Sequence, residues 1–164
     1  MIRPQVPYLL ETYHGDSQDQ APVHHVRTWT AGRQPLFEDK RAVQDLVTCL
    51  HRFDARGEAE ILAFAIMPDH VHWLLRSRDG RPPERMIQLL KACTTRALNT
   101  RLGRCGRRVW EPVHFDRRLS QPADIALTAR YIAAGPARCT HKGPVHAASV
   151  CLPWDMLSHK GLSS

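Results

Sequence analysis

The sequence, 164 residues long, has no apolar run approaching the ~20 residues a membrane-spanning helix needs, which excludes a helical integral membrane protein. It has no Cys-x-x-Cys pair, and its five cysteines (Cys49, Cys93, Cys105, Cys139 and Cys151) are odd in number. A zinc ribbon and a disulfide framework are therefore not expected, and a reducing cytoplasm is the expected compartment. Residues 1–20 hold prolines and acids and lack the apolar stretch of a secretory signal, so they are expected to form a loosely held tail. Repeats and low-complexity tracts are absent. Tyrosine is scarce: of Tyr8, Tyr13 and Tyr131, only the last falls in a patterned segment.

What is present suffices for a core. Apolar residues make up 43% of the chain, and the length fits one domain. The formal charge of +7 is unevenly placed: residues 76–108 hold ten cations against Asp79 and Glu84, leaving that segment at +8 and the rest at −1. Clustered arginine suits phosphate oxygens through its planar two-pronged donor fork, so the run suggests a nucleic-acid partner. It is equally compatible with an ordinary solvated helix face.

Alternating apolar and polar residues over 23–30 predict a strand, and residues 31–35 a turn. The spacing of Val43, Leu46, Val47, Leu50 and Phe53 predicts a helix over 39–56 that stops at Gly57. Two strands, 61–67 and 70–76, flank Pro68-Asp69 as an antiparallel hairpin. A second helix opens at Pro82-Pro83-Glu84 and ends at Gly103, and a shorter strand follows over 109–115. A third helix starts near Pro122 and Asp124, buries Ile125, Ala129 and Ile132, and stops at Gly135-Pro136. The order β-α-β-β-α-β-α implies an α+β domain over 21–138: an antiparallel sheet with helices packed on one face and the other face open to a ligand. Residues 139–164 are expected to be an irregular tail.

The sharpest local motif is Met67-Pro68-Asp69-His70-Val71-His72-Trp73. Side chains two apart on a strand share a face, so His70 and His72 stand side by side while Val71 and Trp73 turn to the core. Two parallel neutral imidazoles can chelate one divalent metal; they can equally be the polar side of a half-exposed strand. Tyr131 lies off its helix's apolar stripe. Such a tyrosine is ordinarily a packing residue, yet beside a metal a phenol can act as a covalent nucleophile. Trp29, Trp110 and Phe115 could offer stacking faces to unpaired bases.

Taken together, five ordered blocks resemble the REP-associated tyrosine transposases of the HUH nuclease superfamily: HHVRTWTAGRQPLFED (24–39), FAIMPDHVHWLL (64–75), IQLLKACTTRALN (87–99), VWEPVHFDRRL (109–119) and ARYIAAGP (129–136). The resemblance implies a ferredoxin-like HUH domain that cleaves and rejoins single-stranded DNA beside a palindromic hairpin. It implies that His70 and His72 hold Mg²⁺ or Mn²⁺ and that Tyr131 forms a 5′-phosphotyrosine. Lys91, Arg96 and Arg117 fall in matching blocks and are implied DNA contacts. The protein would act as a monomer or homodimer, with no membrane partner. One departure matters: the family pattern Tyr-Ile-x-x-Asn-Pro here reads Tyr131-Ile132-Ala133-Ala134-Gly135-Pro136, so a side chain that could complete the metal's coordination is missing. Water or another residue, His114 being nearest in type, would have to fill the gap; otherwise the protein is a weakened or silent hairpin-binding derivative. Hydrolysis of small phosphoesters is a third reading, which the arginine-rich segment disfavours.

Overall fold

A computed structural model of the protein describes residues 21–138 and 149–150. The expected tails over 1–20 and 139–164 lie outside the described residues apart from that last pair. The elements are β1 (Val23–Thr30), α1 (Lys40–Ala55), β2 (Ala59–Ile66), β3 (His70–Ser77), α2 (Pro83–Arg101), β4 (Trp110–Leu119), α3 (Pro122–Arg138) and β5 (Ser149–Val150), with two short 3-10 turns between β1 and α1. The strands form one antiparallel sheet in the order β4-β1-β3-β2-β5. β3, which carries the His-x-His motif, is thus central, and β1 separates it from the β4 edge.

Local chemistry explains most boundaries. Asp39 caps α1: its Oδ1 accepts from the Arg41 N–H at 2.8 Å, satisfying one amide that the first turn leaves without a partner. Gly57, at φ +70°, takes the left-handed conformation that turns the chain from α1 into β2. The β2–β3 turn closes tightly, Met67 N–H donating to the His70 carbonyl at 2.8 Å. Pro83 opens α2, where a missing amide hydrogen costs nothing. We expect Asp39→Ala to lower the unfolding free energy by about 1 kcal/mol. Urea denaturation measures this, and an unchanged midpoint would show that the cap contributes nothing.

Alternation on the strands sorts two cores. Val26, Phe64, Val71, Trp73 and Leu75 meet Leu46, Leu50, Phe53, Met86, Leu90 and Leu98 of α1 and α2. On the opposite side Val23, Ala63, Ala65, Leu74 and Leu119 meet Ala129 and Ile132 of α3. The expectation of helices on one face therefore holds for α1 and α2, while α3 crosses to the other face. The small Ala63 and Ala65 let α3 sit close over β2, and a helix with its own apolar stripe must bury it somewhere.

Two boundaries differ from the sequence reading by more than two residues, and one strand was not expected. β4 extends to Leu119, pairing residue by residue with β1 as far as Val23 opposite Leu119. Its polar end, Asp116-Arg117-Arg118, shows no buried alternation because an edge strand need bury little. α3 runs through Gly135-Pro136 to Arg138; the pair sits in the last turn, where one missing donor interrupts no longer ladder. Ser149 and Val150, expected to be irregular, pair with Ala65 and Phe64 of β2. Among the described residues no helix is long and apolar enough to cross a membrane.

Candidate functional site

The face of the sheet beneath α3 collects most of the residues capable of chemistry. On β3, His70 and His72 project to it, their rings 5.1 Å apart between centroids. The register places Arg27 of β1 opposite His72 and Trp29 opposite His70. Alternation then puts His25, Arg27 and Trp29 on the same side, and Phe115, paired with Arg27, extends that side onto β4.

Both motif histidines are held through Nδ1. The His70 Nδ1 lies 2.7 Å from the Asp69 carboxylate. Asp69 is itself pinned to the end of β1, its carbonyl accepting from the Thr30 amide at 2.9 Å and the Thr30 hydroxyl at 3.0 Å. The His72 Nδ1 lies 3.1 Å from His25 Nε2, and the two rings stack 5.4 Å apart at 18°. Burial, reinforced by the charges of Arg27 and Arg117, pushes the His25 pKa down to about 4, so His25 is neutral at physiological pH. A neutral His25 that accepts from His72 Nδ1–H leaves the His72 proton off Nε2. In that tautomer Nε2 carries the lone pair that can meet a cation, and a carboxylate behind a ligating histidine, as Asp69 stands behind His70, is a common arrangement.

Tyr131 projects from α3 over this pair. Its ring centroid lies 6.1 Å from that of His72 and 6.5 Å from that of His25, nearly perpendicular to both, and the residue is 48% exposed. The buried Ala129 and Ile132 anchor the helix and set the phenol's position. The donor chemistry of His70 and His72 fits a divalent cation. Among the described residues no group of three or more His, Cys, Asp or Glu side chains is placed to hold a metal ion. His114 does not fill the gap. It falls opposite Thr28 on the α2 side of β4, where burial and the neighbouring Lys91 charge lower its pKa.

The expected DNA contacts separate. Arg117 is on the histidine side, close enough for its charge to lower the proton affinity of His25. Lys91 and Arg96 are on α2, behind the sheet. Lys91 Nζ donates to the carbonyls of Glu111 and Pro112 at 2.9 and 3.3 Å, and burial lowers its pKa. With Arg96, Arg107 and Arg108 it lines a cleft of about 670 Å³. The basic run is also less available than its composition implies. Arg76, Arg78, Arg81 and Arg101 pair with Glu60, Asp54, Glu58 and Asp45, acids supplied by β2, α1 and the turn between them.

Of the three expected stacking faces, Trp110 is buried, its indole N–H donating to Thr94 at 2.9 Å, whereas Trp29 and Phe115 stay on the histidine side. His25, Arg27 and Asp69 were not singled out from sequence. Asp69 adjoins the motif, and His25 and Arg27 share the parity of Trp29, but only strand pairing joins them to His72. Among the described residues the cysteines are free thiols: Cys49 is buried, and burial pushes its thiol up to about 12, while Cys93 is half-buried and Cys105 exposed.

This arrangement is an α+β transposase fold. One structural neighbour is a REP-associated tyrosine transposase bound to a REP hairpin, at TM-score 0.58 and 13% identity over 77% of this chain and 73% of that one. Another is a protein assigned as a transposase from Deinococcus radiodurans R1, at TM-score 0.55 and 22% identity over 74% and 96% respectively. The chain belongs to the IS200-like transposase family, whose model matches residues 18–133. No curated protein matches the sequence.

Proposed function

We propose that the protein is a metal-dependent single-stranded DNA endonuclease and strand transferase that acts at palindromic hairpins through a 5′-phosphotyrosine on Tyr131. The observation that carries this reading is the meeting of Tyr131 with His72 and His25 on the face that also bears His70. The hairpin held by one of its structural neighbours supports the choice of substrate.

His70 and His72 would hold Mg²⁺ or Mn²⁺, which when bound supplies polarisation of the scissile phosphate and stabilises charge on its oxygens. Asp69 and His25 fix the two imidazoles in advance, so little reorganisation is needed at the moment of reaction. The Tyr131 oxygen attacks phosphorus, the bond from phosphorus to the 3′ oxygen breaks, and the released strand ends in a 3′-OH after taking up a proton. One phosphodiester replaces another, so no nucleotide triphosphate is required, and attack by a different 3′-OH joins strands. Arg117 would neutralise backbone phosphate beside the site. Lys91 and Arg96 would meet DNA only behind the sheet, where a duplex stem could lie along their cleft.

The test is a covalent protein–DNA adduct on a hairpin oligonucleotide with single-stranded flanks in the presence of Mn²⁺. Adduct that disappears with chelator is expected; tight hairpin binding without adduct under any divalent metal would overturn the enzymatic reading.

A second reading has a specific feature behind it. Gly135 stands one helical turn beyond Tyr131, where the family pattern carries asparagine, so the protein could be a silent hairpin binder. Gly135→Asn separates the two. A sharp rise in adduct would identify Gly135 as the lesion of a weakened enzyme, and no change would place the remaining coordination elsewhere.

A further inference from the structure

The histidine side of the sheet extends past His72 to the β4 edge, and the residues along that extension form a set with no structural necessity. Arg27 lies between two aromatic rings: its guanidinium carbon is 5.0 Å from the centroid of Trp29 and 5.3 Å from that of Phe115. Arg33 lies over Trp29 at 4.7 Å and reaches Asp69 only at 3.8 Å. Phe115 is 39% exposed on an edge strand, open from the side. Among the described residues Arg27 has no carboxylate partner, and its buried Nε has no hydrogen-bond acceptor. A cation held between aromatic faces without a counter-ion is costly unless an anion arrives to complete it.

From this geometry we infer that Phe115 and Arg27 form a subsite for one unpaired nucleotide of single-stranded DNA, its base stacked on Phe115 and its phosphate on Arg27. The inference rests on the DNA-cleaving reading above and adds where the strand beside the cleaved bond is held. Position supports it. Arg27 is the direct cross-strand neighbour of both His72 and Phe115, so the platform begins one strand from the histidines. Two strand spacings, about 10 Å, separate β3 from β4. A strand with one phosphate at the histidines therefore brings a neighbouring base over Phe115. Charge supports it too, since the strand register sets Arg27 and Arg117 on the same side of the sheet, where two guanidinium groups favour an anion. A paired base in a duplex hides its faces, whereas an unpaired one offers a π-surface to phenylalanine and to guanidinium planes alike. Trp29 and Phe115 hold the Arg27 guanidinium between them, and Arg33, over the same Trp29, lies 3.8 Å from the Asp69 carboxylate that supports His70.

The test is binding without catalysis. A fluorescent DNA hairpin with oligothymidine or oligodeoxyadenosine flanks is titrated in chelator, with an abasic site moved one position at a time along each flank. In the wild type one position loses about tenfold in affinity when its base is removed. Phe115→Ala binds the intact and that abasic hairpin equally, and Phe115→Trp restores the difference. Arg27→Gln lowers the slope of log affinity against log salt by about 0.7. The subsite is overturned if Phe115→Ala keeps the full penalty at the same position, or if the wild type binds the hairpin with no penalised position. If the wild type binds no hairpin at all, the broader DNA reading falls with it.

Discussion

Tyr131→Phe abolishes the covalent adduct and leaves hairpin affinity within about twofold, because the hydroxyl is the reacting atom and not the source of uniform binding. Removing a nucleophile that acts in concert with its supports typically costs on the order of 10⁴-fold or more in rate, so the expected readout is no band on a denaturing gel. The substitution is mild for the fold. Tyr131 is 48% exposed, while α3 is anchored by Ala129 and Ile132. Loss of both adduct and binding would mean that the phenol shapes the DNA surface. Undiminished adduct would assign the nucleophile to another residue and remove the central step of the proposed reaction.

Trp73→Ala lowers folding stability by about 3–5 kcal/mol, a large part of the ~5–15 kcal/mol a domain possesses. Trp73 is 1% exposed on the central strand, meets Trp110 at 6.0 Å, and donates its indole N–H to Thr28 Oγ1 at 2.9 Å. Truncation opens a cavity under α1 and α2 and leaves a buried hydroxyl without its donor. Because Trp73 lies between His72 and Leu74 on β3, the loss also loosens the strand that presents the histidines. Chemical denaturation should show the shift, and a change below about 1 kcal/mol would mean that the core collapses to fill the space.

The His-x-His pair and the helical tyrosine were legible because their signals are local. A period of two puts His70 beside His72 and sends Trp73 to the core, which is where Trp73 lies. A period of 3.6 puts Tyr131 outside the stripe of Ala129 and Ile132, and it is exposed. His25 was invisible as a partner because it stands 47 residues from His72, and no local pattern encodes that distance. The charge count overstated the free charge for the same reason: Arg101 is paired with Asp45, 56 residues away on α1.

The sequence by itself determined the order and kind of the main elements between residues 23 and 138, the side of each strand its residues occupy, and the two imidazoles that stand together. The tertiary structure alone decided that α3 crosses to the histidine side, that β1 inserts between β3 and β4, and which arginines keep their charge available. The reason is physical. Backbone geometry repeats over a few residues and is written in any short stretch, whereas strand pairing and helix placement are selected by burying all apolar faces at once, a condition no single segment can meet.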